Sequence, residues 1–385
     1  MEAMRSERVG VSRRELLVAV PALAAAGGCG GKAAPSRGVP GRQAPAGPAP
    51  GAGAGSRQAG VDRPEQPQTH VVLSVYDLAD AGDVGRVLRR LGEAVLVATP
   101  GTGAEGVVGP GGTTVTIGLG PGPVAARDRR LPGAAALPAF AREERTARTW
   151  GGDLMVQVCA DDAAAAMRAD TELAALLDAE GAARRWSQAG FRAPGSGPVR
   201  NLLGFHDGIE VPRGRGEVER EVWLPGPGPA AGGTVAVVRR LRVDVPGFLA
   251  QSVPRQEEVI GRKKADGAPL GGGEPLGRLD LLAKTPHGRY LVPAMAHARR
   301  ANAHATGSGT MLRRGYGYDN GEGDQGLLFI SFQRELRTFT ATQRRLDDGD
   351  DLMAFVTATA SGSFLVLPGF DARRPLGAAL FPGRG

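Results

Sequence analysis

The fold of this chain is constrained most by two segments. In each of them, a short apolar run leads directly into a helical pattern. Residues 154–159 are typical of a short buried strand, and residues 163–179 continue with leucines and alanines and without a helix breaker. Residues 327–332 form a second such run, and residues 335–346 follow it with an amphipathic helical pattern. Two strand-then-helix units so far apart in one chain predict a duplicated α+β module.

Further strand patterns surround these two units. Strand-like alternation or β-branched runs occur at residues 70–76, 113–120, 234–245 and 364–367. The 385 residues suffice for one large domain or two ordinary ones. We therefore expect an N-terminal module over residues 69–215 and a C-terminal module over residues 216–385.

The first 29 residues have the pattern of an export signal. Arg13 and Arg14 form a twin-arginine start, and the apolar run at 16–26 that follows is shorter than the about 20 residues that span a bilayer. Small residues then precede Cys29, as at a lipoprotein processing site, although Ala26 stands where such sites favour leucine. Two outcomes remain open: lipidation of Cys29, which would tether the protein to a membrane, and ordinary cleavage among the alanines. Both predict export by the twin-arginine route, which carries folded proteins that often already hold a cofactor, to the periplasm or the exterior.

Residues 30–68 have the composition of a linker. They are nearly all Gly, Ala, Pro, Ser, Arg and Gln, and only Val39 and Val61 are larger apolar residues. Such a stretch buries too little surface to offset its conformational entropy, so we expect a disordered tether, semi-extended by its prolines.

Charge and cysteine content exclude several classes of protein. The formal net charge is +7, but the arginines are scattered, aromatic residues are not interleaved with them, and the signatures of nucleic-acid-binding modules are missing. We therefore expect no nucleic-acid partner. The two cysteines, Cys29 and Cys159, rule out a disulfide scaffold and a four-cysteine zinc site. Their different contexts also argue against a bridge between them.

Among the five histidines, His297 has the most suggestive surroundings. Its neighbours are small and apolar, which suits an imidazole pressed against a flat apolar cofactor. His304 lies seven residues later, so a two-histidine metal site is an alternative, although no third ligand has a fitting spacing. Asp207 lies between glycines in Gly204-Phe-His-Asp-Gly208, which would allow close approach of a ligand. By pattern alone, however, Asp-Gly is more typical of a turn.

Six separated segments carry a resemblance to a known family. They occur at residues 151–162, 200–208, 260–270, 297–302, 312–319 and 326–333, and they include Gly204-x-x-Asp207-Gly208 and His297-x-Arg299-x-x-Asn302. In this order they resemble the dye-decolourising (DyP-type) haem peroxidases, particularly the exported branch with the deferrochelatase/peroxidase proteins of bacterial iron uptake. The matching segments span nearly all of residues 69–370.

The resemblance implies a fold of two ferredoxin-like modules with haem b in the C-terminal half. It also implies roles for individual residues. His297 would be the proximal iron ligand, Asp207 the distal acid–base and Arg313 the distal arginine. Asp350 would accept the other N–H of the proximal imidazole, although three further aspartates crowd the same segment: Asp347, Asp348 and Asp351.

The chain also departs from the family pattern beside these residues. The family commonly has a threonine and an asparagine soon after Asp-Gly, whereas this chain has Ile209-Glu210-Val211. The family also often has a proline after Ala-Asn, whereas this chain has Ala303. Arg299 and Asn302 would contact the haem or its propionates; structural hydrogen bonding next to the ligand helix is an equally good interpretation.

The implied activity is oxidation of dyes, phenols or other reductants by hydrogen peroxide. One positioned carboxylate can take a proton from one peroxide oxygen and return it to the other, and a guanidinium stabilises the departing charge. Aspartate side chains have a reference pKa of about 3.9 and histidine of about 6.5, so an aspartate base predicts an acidic pH optimum. Surface aromatic residues could relay electrons from bulky substrates, although most such residues are simply packed; the candidates are Trp186, Trp223, Tyr316 and Tyr318.

Two other functions remain open: release of iron from haem with the tetrapyrrole intact, as in iron uptake, and non-enzymatic haem binding and delivery by a tethered lipoprotein. The presence of both Asp207 and Arg313 favours the peroxidase, because passive carriage needs neither. Iron-uptake partners and a homo-oligomeric state are further open alternatives.

Overall fold

The computed structural model describes residues 57–79, 84–98 and 112–382. The predicted signal, Cys29 and the first part of the predicted linker lie outside the described residues. Within these ranges, no helix is both long enough and apolar enough to cross a membrane.

The first half of the chain forms a βαββαβ module. Its four strands lie in the order β4-β1-β3-β2, and each neighbouring pair is antiparallel. Helices α1 and α3 pack on one face of this sheet, and the short helix α2 follows β2. The bounds are β1 His70–Asp77, α1 Val84–Ala98, β2 Thr114–Leu119, α2 Pro121–Arg127, β3 Leu154–Ala160, α3 Ala163–Ala179 and β4 Ala183–Phe191.

Local signals explain why the first strand-then-helix unit forms. Every residue of β3 is buried, as its apolar run predicts. Asp162 caps α3 by accepting a hydrogen bond from the backbone N–H of Ala165 at 2.7 Å. Leu173 and Leu177, one turn apart on the helix, are buried against the sheet.

Short elements join the two halves. They are β5 Val199–Arg200, β6 His206–Asp207 and α4 Gly214–Glu221. Strands β5 and β6 pair with each other in a separate two-stranded sheet. The module boundary predicted after residue 215 lies inside α4, and the described residues belong to one compact unit.

The second half repeats the topology of the first. Its principal strands lie in the order β11-β7-β10-β9, again antiparallel. A long excursion between β7 and β9 carries His297 on α7. The bounds are β7 Thr234–Val243, α5 Val245–Leu249, α6 Val253–Ile260, α7 His297–Arg300, α8 Ala303–Thr306, β8 Leu312–Arg313, β9 Tyr316–Asp319, β10 Gln325–Gln333, α9 Leu336–Asp347, a 3₁₀ helix at Asp351–Phe355 and β11 Val356–Val366.

The two modules close into one barrel. Strand β2 pairs with β11, and β4 pairs with β9, so the edge strands of each sheet meet those of the other. Val71, Leu73 and Val75 of β1 share a core cluster with residues of β7, β10 and β11, whereas Val72 and Tyr76 face the cluster under α1 and α3. This alternation places one core inside the barrel. The predicted α+β fold of two ferredoxin-like modules is confirmed.

The prediction of disorder for residues 30–68 is wrong over residues 57–68, which we call the N-terminal strap. Val61 is fully buried in the barrel core. The Gln58 side chain donates to the carbonyls of Ile117 and Leu367, both at 2.9 Å. Gly60 has φ +87°, and an added Cβ would lie 2.2 Å from the Thr116 hydroxyl. The average composition of residues 30–68 did not indicate that these particular residues are ordered. Their burial and hydrogen bonds offset the conformational entropy lost on ordering them.

Candidate active site

A hydrogen-bonded histidine–aspartate pair lies at the start of α7. The Nδ1 atom of His297 is 2.6 Å from Oδ2 of Asp350. A carboxylate accepts hydrogen bonds, so Nδ1–H is the donor. The other oxygen, Oδ1, accepts from the backbone N–H of Leu352 at 2.9 Å and caps the 3₁₀ helix. The Asp350 side chain is fully buried, whereas that of His297 is 35% exposed. Both carboxylate oxygens are therefore engaged, and the ring is oriented with Nε2 available.

Electrostatics links this pair to the distal groups. Burial lowers the pKa of His297, but the charge and hydrogen bond of Asp350 raise it more, so the net pKa lies above its ordinary value. Weaker effects on the same pKa come from Arg313, which lowers it, and from Asp207, which raises it. The imidazole is thus within electrostatic reach of both predicted distal residues.

The geometry separates Asp350 from the neighbouring aspartates. Asp347 accepts hydrogen bonds from the backbone N–H of Ala141 at 3.1 Å and from the Gln343 amide at 2.9 Å. Asp351 forms an ion pair with Arg255 at 2.8 Å. Asp350 is therefore the aspartate of this segment that contacts the imidazole, as the resemblance implied.

Asp207 and Arg313 come together from two short strands. Asp207 ends β6, and its Oδ1 accepts from the backbone N–H of Gly208 at 2.6 Å. Gly208 has φ +81°, so the motif also makes the turn that Asp-Gly predicts. Arg313 ends β8, and its Nη2 lies 3.6 Å from Asp207 Oδ1. Its Nη1 donates to the Glu210 carbonyl at 2.9 Å. Both side chains are partly exposed, at 34% for Asp207 and 25% for Arg313, so a small molecule can reach them.

Arg299 and Asn302 are already engaged by the protein. The Arg299 guanidinium donates twice to the Val292 carbonyl, at 3.0 and 2.9 Å, and stacks on the Tyr290 ring at 4.4 Å. Asn302 is buried, and its Oδ1 accepts from the backbone N–H of His304 at the start of α8. These contacts favour the structural interpretation. Roles in holding a cofactor stay predictions.

The alternative metal site and the candidate electron relays find little support. Within residues 57–79, 84–98 and 112–382, no cluster of three or more His, Cys, Asp or Glu side chains could hold a metal ion. Trp223, Tyr316 and Tyr318 are buried, and Trp186 packs beside the barrel core. Their surroundings favour packing, and a relay through them stays a prediction.

Two residues that support Arg313 were missed by the sequence analysis. Glu210 supplies the carbonyl that accepts from Arg313, and its own carboxylate lies 3.3 Å from Arg262. Arg262 is buried and also donates to the carbonyls of Gly267 and Gly277, at 3.0 and 2.8 Å. These partners are far apart in the chain; Glu210 lies in the departure from the family pattern at residues 209–211, and Arg262 lies in the matching segment 260–270, but neither signal assigned them a role.

A closed barrel of two ferredoxin-like modules, with an imidazole–carboxylate pair near a carboxylate–guanidinium pair, defines the class of protein. The family model described as "Dyp-type peroxidase, C-terminal" matches residues 198–371. The dye-decolorizing peroxidase of Thermobifida fusca is 36% identical over 71% of this chain and 68% of its own length. The chain therefore belongs to the DyP-type peroxidase family, and the predictions of this family and of a peroxidase are confirmed.

Relatives from two other organisms cover more of the chain. The deferrochelatase of Escherichia coli K12 is 30% identical over 96% of both chains. The structure described as ferric DtpA from Streptomyces lividans is 34% identical, with a TM-score of 0.77, over 86% of this chain and 96% of its own. These similarities cover both modules.

Proposed function

We propose that this protein is a haem-dependent peroxidase that uses hydrogen peroxide to oxidise dyes, phenols or other small reductants. The observation that carries this proposal is the pairing of His297 with buried Asp350 within electrostatic reach of Asp207 and Arg313. The family and the ferric state named for the Streptomyces lividans structure support it.

The donor set fits haem. His297 offers a single imidazole whose far nitrogen is held by a carboxylate, the arrangement that orients a histidine ligand and raises its basicity. Among the hydrogen bonds of the described residues, none involves His297 Nε2, so this atom is available for the iron. When bound, haem supplies the iron at which the oxygen–oxygen bond of peroxide is cleaved.

Asp207 and Arg313 supply the proton transfer and the charge stabilisation. Asp207 takes the proton from one peroxide oxygen and returns it to the other, which lets the bond break heterolytically. Arg313 is held by the Glu210 carbonyl at 2.9 Å, which keeps its guanidinium beside Asp207. A fixed guanidinium stabilises the negative charge on the departing oxygen without reorganisation.

A second candidate function is release of iron from haem. The relatives named deferrochelatase, which match over 96% of this chain, favour it. Both functions use the same pocket and proximal ligand. They differ in their products, because a peroxidase retains its haem through many turnovers, whereas iron release leaves a metal-free tetrapyrrole.

We further propose export by the twin-arginine route, on the basis of the Arg13–Arg14 start and the short apolar run that follows. Lipidation of Cys29 would tether the protein to a membrane, and cleavage among the alanines would release it. Mass spectrometry of the protein purified from its host separates these outcomes, because lipidation adds a large apolar mass at Cys29.

Rapid mixing of the ferric haem-loaded protein with hydrogen peroxide tests the proposed function. We expect a fast change of the Soret band in the wild type, with slowing of at least about a hundredfold in Asp207→Ala or Arg313→Ala, as for loss of general acid–base or oxyanion-type stabilisation. Wild-type protein that shows no change would indicate haem carriage instead. Fluorescence of free metal-free porphyrin after reaction would indicate iron release.

A further inference from the structure

The side chain that follows the distal arginine points into the barrel and reaches the N-terminal strap. Arg314 is buried, with 4% of its surface exposed. Its Nη2 donates to the carbonyl of Pro64 at 2.7 Å and to that of Glu65 at 3.5 Å. Burial lowers the pKa of Arg314, but an arginine remains charged in proteins. Backbone carbonyls of the strap therefore accept hydrogen bonds from a buried cation.

Arg313 ends a two-residue strand at the end of the strand order, and Arg314 directly follows it. This strand, β8, is paired only with β10 within the described sheet. One further backbone bond, from Arg314 N–H to the Ile330 carbonyl at 2.9 Å, extends this pairing. Successive side chains of an extended strand point to opposite sides. Arg313 accordingly faces Asp207, while Arg314 faces the strap.

The strap is itself fixed to the other module. The Thr116 hydroxyl of β2 donates to the Ala59 carbonyl at 2.7 Å, and the Gln157 amide of β3 donates to the Gly60 carbonyl at 3.3 Å. Val61 of the strap and Leu312 of β8 belong to the same buried cluster. Arg314 therefore joins β8 to an anchored segment.

We propose that Arg314 is a positioning residue that, through its hydrogen bonds to the strap, holds β8 and so keeps the Arg313 guanidinium between Asp207 and the Glu210 carbonyl. The inference rests on the proposed function, because it assigns the strap a role in the peroxide reaction. It also gives residues 57–68, which the sequence had assigned to the tether, a contact beside the strand that carries the distal arginine.

The first test replaces the buried cation. Arg314→Met keeps an apolar side chain of similar length, and it removes the cost of burying a cation, which offsets the lost hydrogen bonds to the strap. We expect haem content and thermal unfolding to stay near wild type. The rate constant for the Soret change with peroxide falls about tenfold to a hundredfold, because a misplacement of about 1 Å can slow catalysis about a hundredfold. Arg314→Lys retains a donor for the Pro64 carbonyl and recovers most of the rate.

A double-mutant cycle then asks whether Arg314 acts through Arg313. In the Arg313→Gln background, Arg314→Met should change the rate constant by less than about twofold, since the group that it positions is gone. Arg192→Met is the matched control, because Arg192 is a cation near Arg314 that stacks on the Tyr316 ring, and the hydrogen bonds of the described residues include none from its side chain to Arg313 or the strap. We expect this variant to react as the wild type does.

An equilibrium measurement supplies a readout independent of turnover. Fluoride binds to ferric haem-loaded protein more tightly when a positioned guanidinium can donate a hydrogen bond to it. The dissociation constant of fluoride should therefore rise in Arg314→Met, which displaces Arg313, and not in Arg192→Met. A rate constant and fluoride affinity of Arg314→Met equal to wild type, or equal slowing in both Arg313 backgrounds, would overturn the inference. A wild-type protein without any peroxide reaction would instead overturn the proposed function.

Discussion

Neutralising Asp350 should raise the reduction potential of the haem iron that we propose His297 holds. The Nδ1 and Oδ2 atoms are 2.6 Å apart, and the Asp350 side chain has no exposed surface. This is a charge-assisted hydrogen bond whose acceptor is shielded from water, and such bonds contribute about 1.5–3 kcal/mol. The carboxylate makes the imidazole a stronger electron donor, which favours the oxidised iron.

The size of the effect follows from that energy. Asp350→Asn keeps the shape of the side chain and one acceptor oxygen, but it removes the negative charge. For a one-electron equilibrium, each factor of ten corresponds to about 1.4 kcal/mol or 59 mV. If the full energy of the bond favours the oxidised iron, its loss therefore raises the reduction potential by about 60–130 mV. Partial retention of the bond by the asparagine would place the result at the lower end.

Spectroelectrochemical titration of the haem-loaded protein measures this potential. Asp347→Asn is the matched control, because Asp347 is in the same segment but contacts Ala141 and Gln343 in place of the imidazole. An Asp350→Asn potential equal to or below that of wild type, or an equal rise in Asp347→Asn, would refute the reasoning.

Three further predictions concern the distal base, the core and the buried thiol. An aspartate base stays ionised at lower pH than a histidine base, so the pH–rate profile for dye or phenol oxidation should peak below neutrality; an optimum above pH 7 would count against Asp207 as the base. Glu143 and Arg239 form an ion pair at 2.6 Å, with 2% of each side chain exposed. Glu143→Gln leaves the buried arginine without its counter-ion, so it should lower the free energy of unfolding by about 3–5 kcal/mol. Urea denaturation measures this change, and an unfolding midpoint equal to that of wild type would contradict the prediction. Burial raises the pKa of the Cys159 thiol to about 11, so a thiol reagent at pH 8 should label Cys159 slowly in the folded protein and rapidly in urea. Mass spectrometry of the Cys159 peptide measures both rates, and fast labelling of the folded protein would contradict the burial.

Local patterns were enough to predict the class of fold. The apolar run at β3 and the capped helix α3 have their counterparts in β10 and α9, and each unit carries its own signals of periodicity and burial. Duplication of these units predicted a duplicated α+β module, the resemblance to the family implied that both modules are ferredoxin-like, and the structure contains both modules. The joining of β2 to β11 and of β4 to β9 had no local signal, because strand pairing between modules depends on which edges meet in three dimensions.

In the candidate site, too, the sequence predicted some features and only the tertiary structure decided the others. Residue types and motif spacing singled out His297, Asp207 and Arg313 through resemblance to a family, and the contact that joins His297 to Asp350 over 53 positions of sequence was expected only from that resemblance. Composition predicted disorder for the strap, because it averages a stretch and does not show which residues find partners. The support of Arg313 by Glu210 and the contact of Arg314 with Pro64 join residues distant in the chain. Such contacts exist only once folding has placed their donors and acceptors together, so the tertiary structure alone decided them.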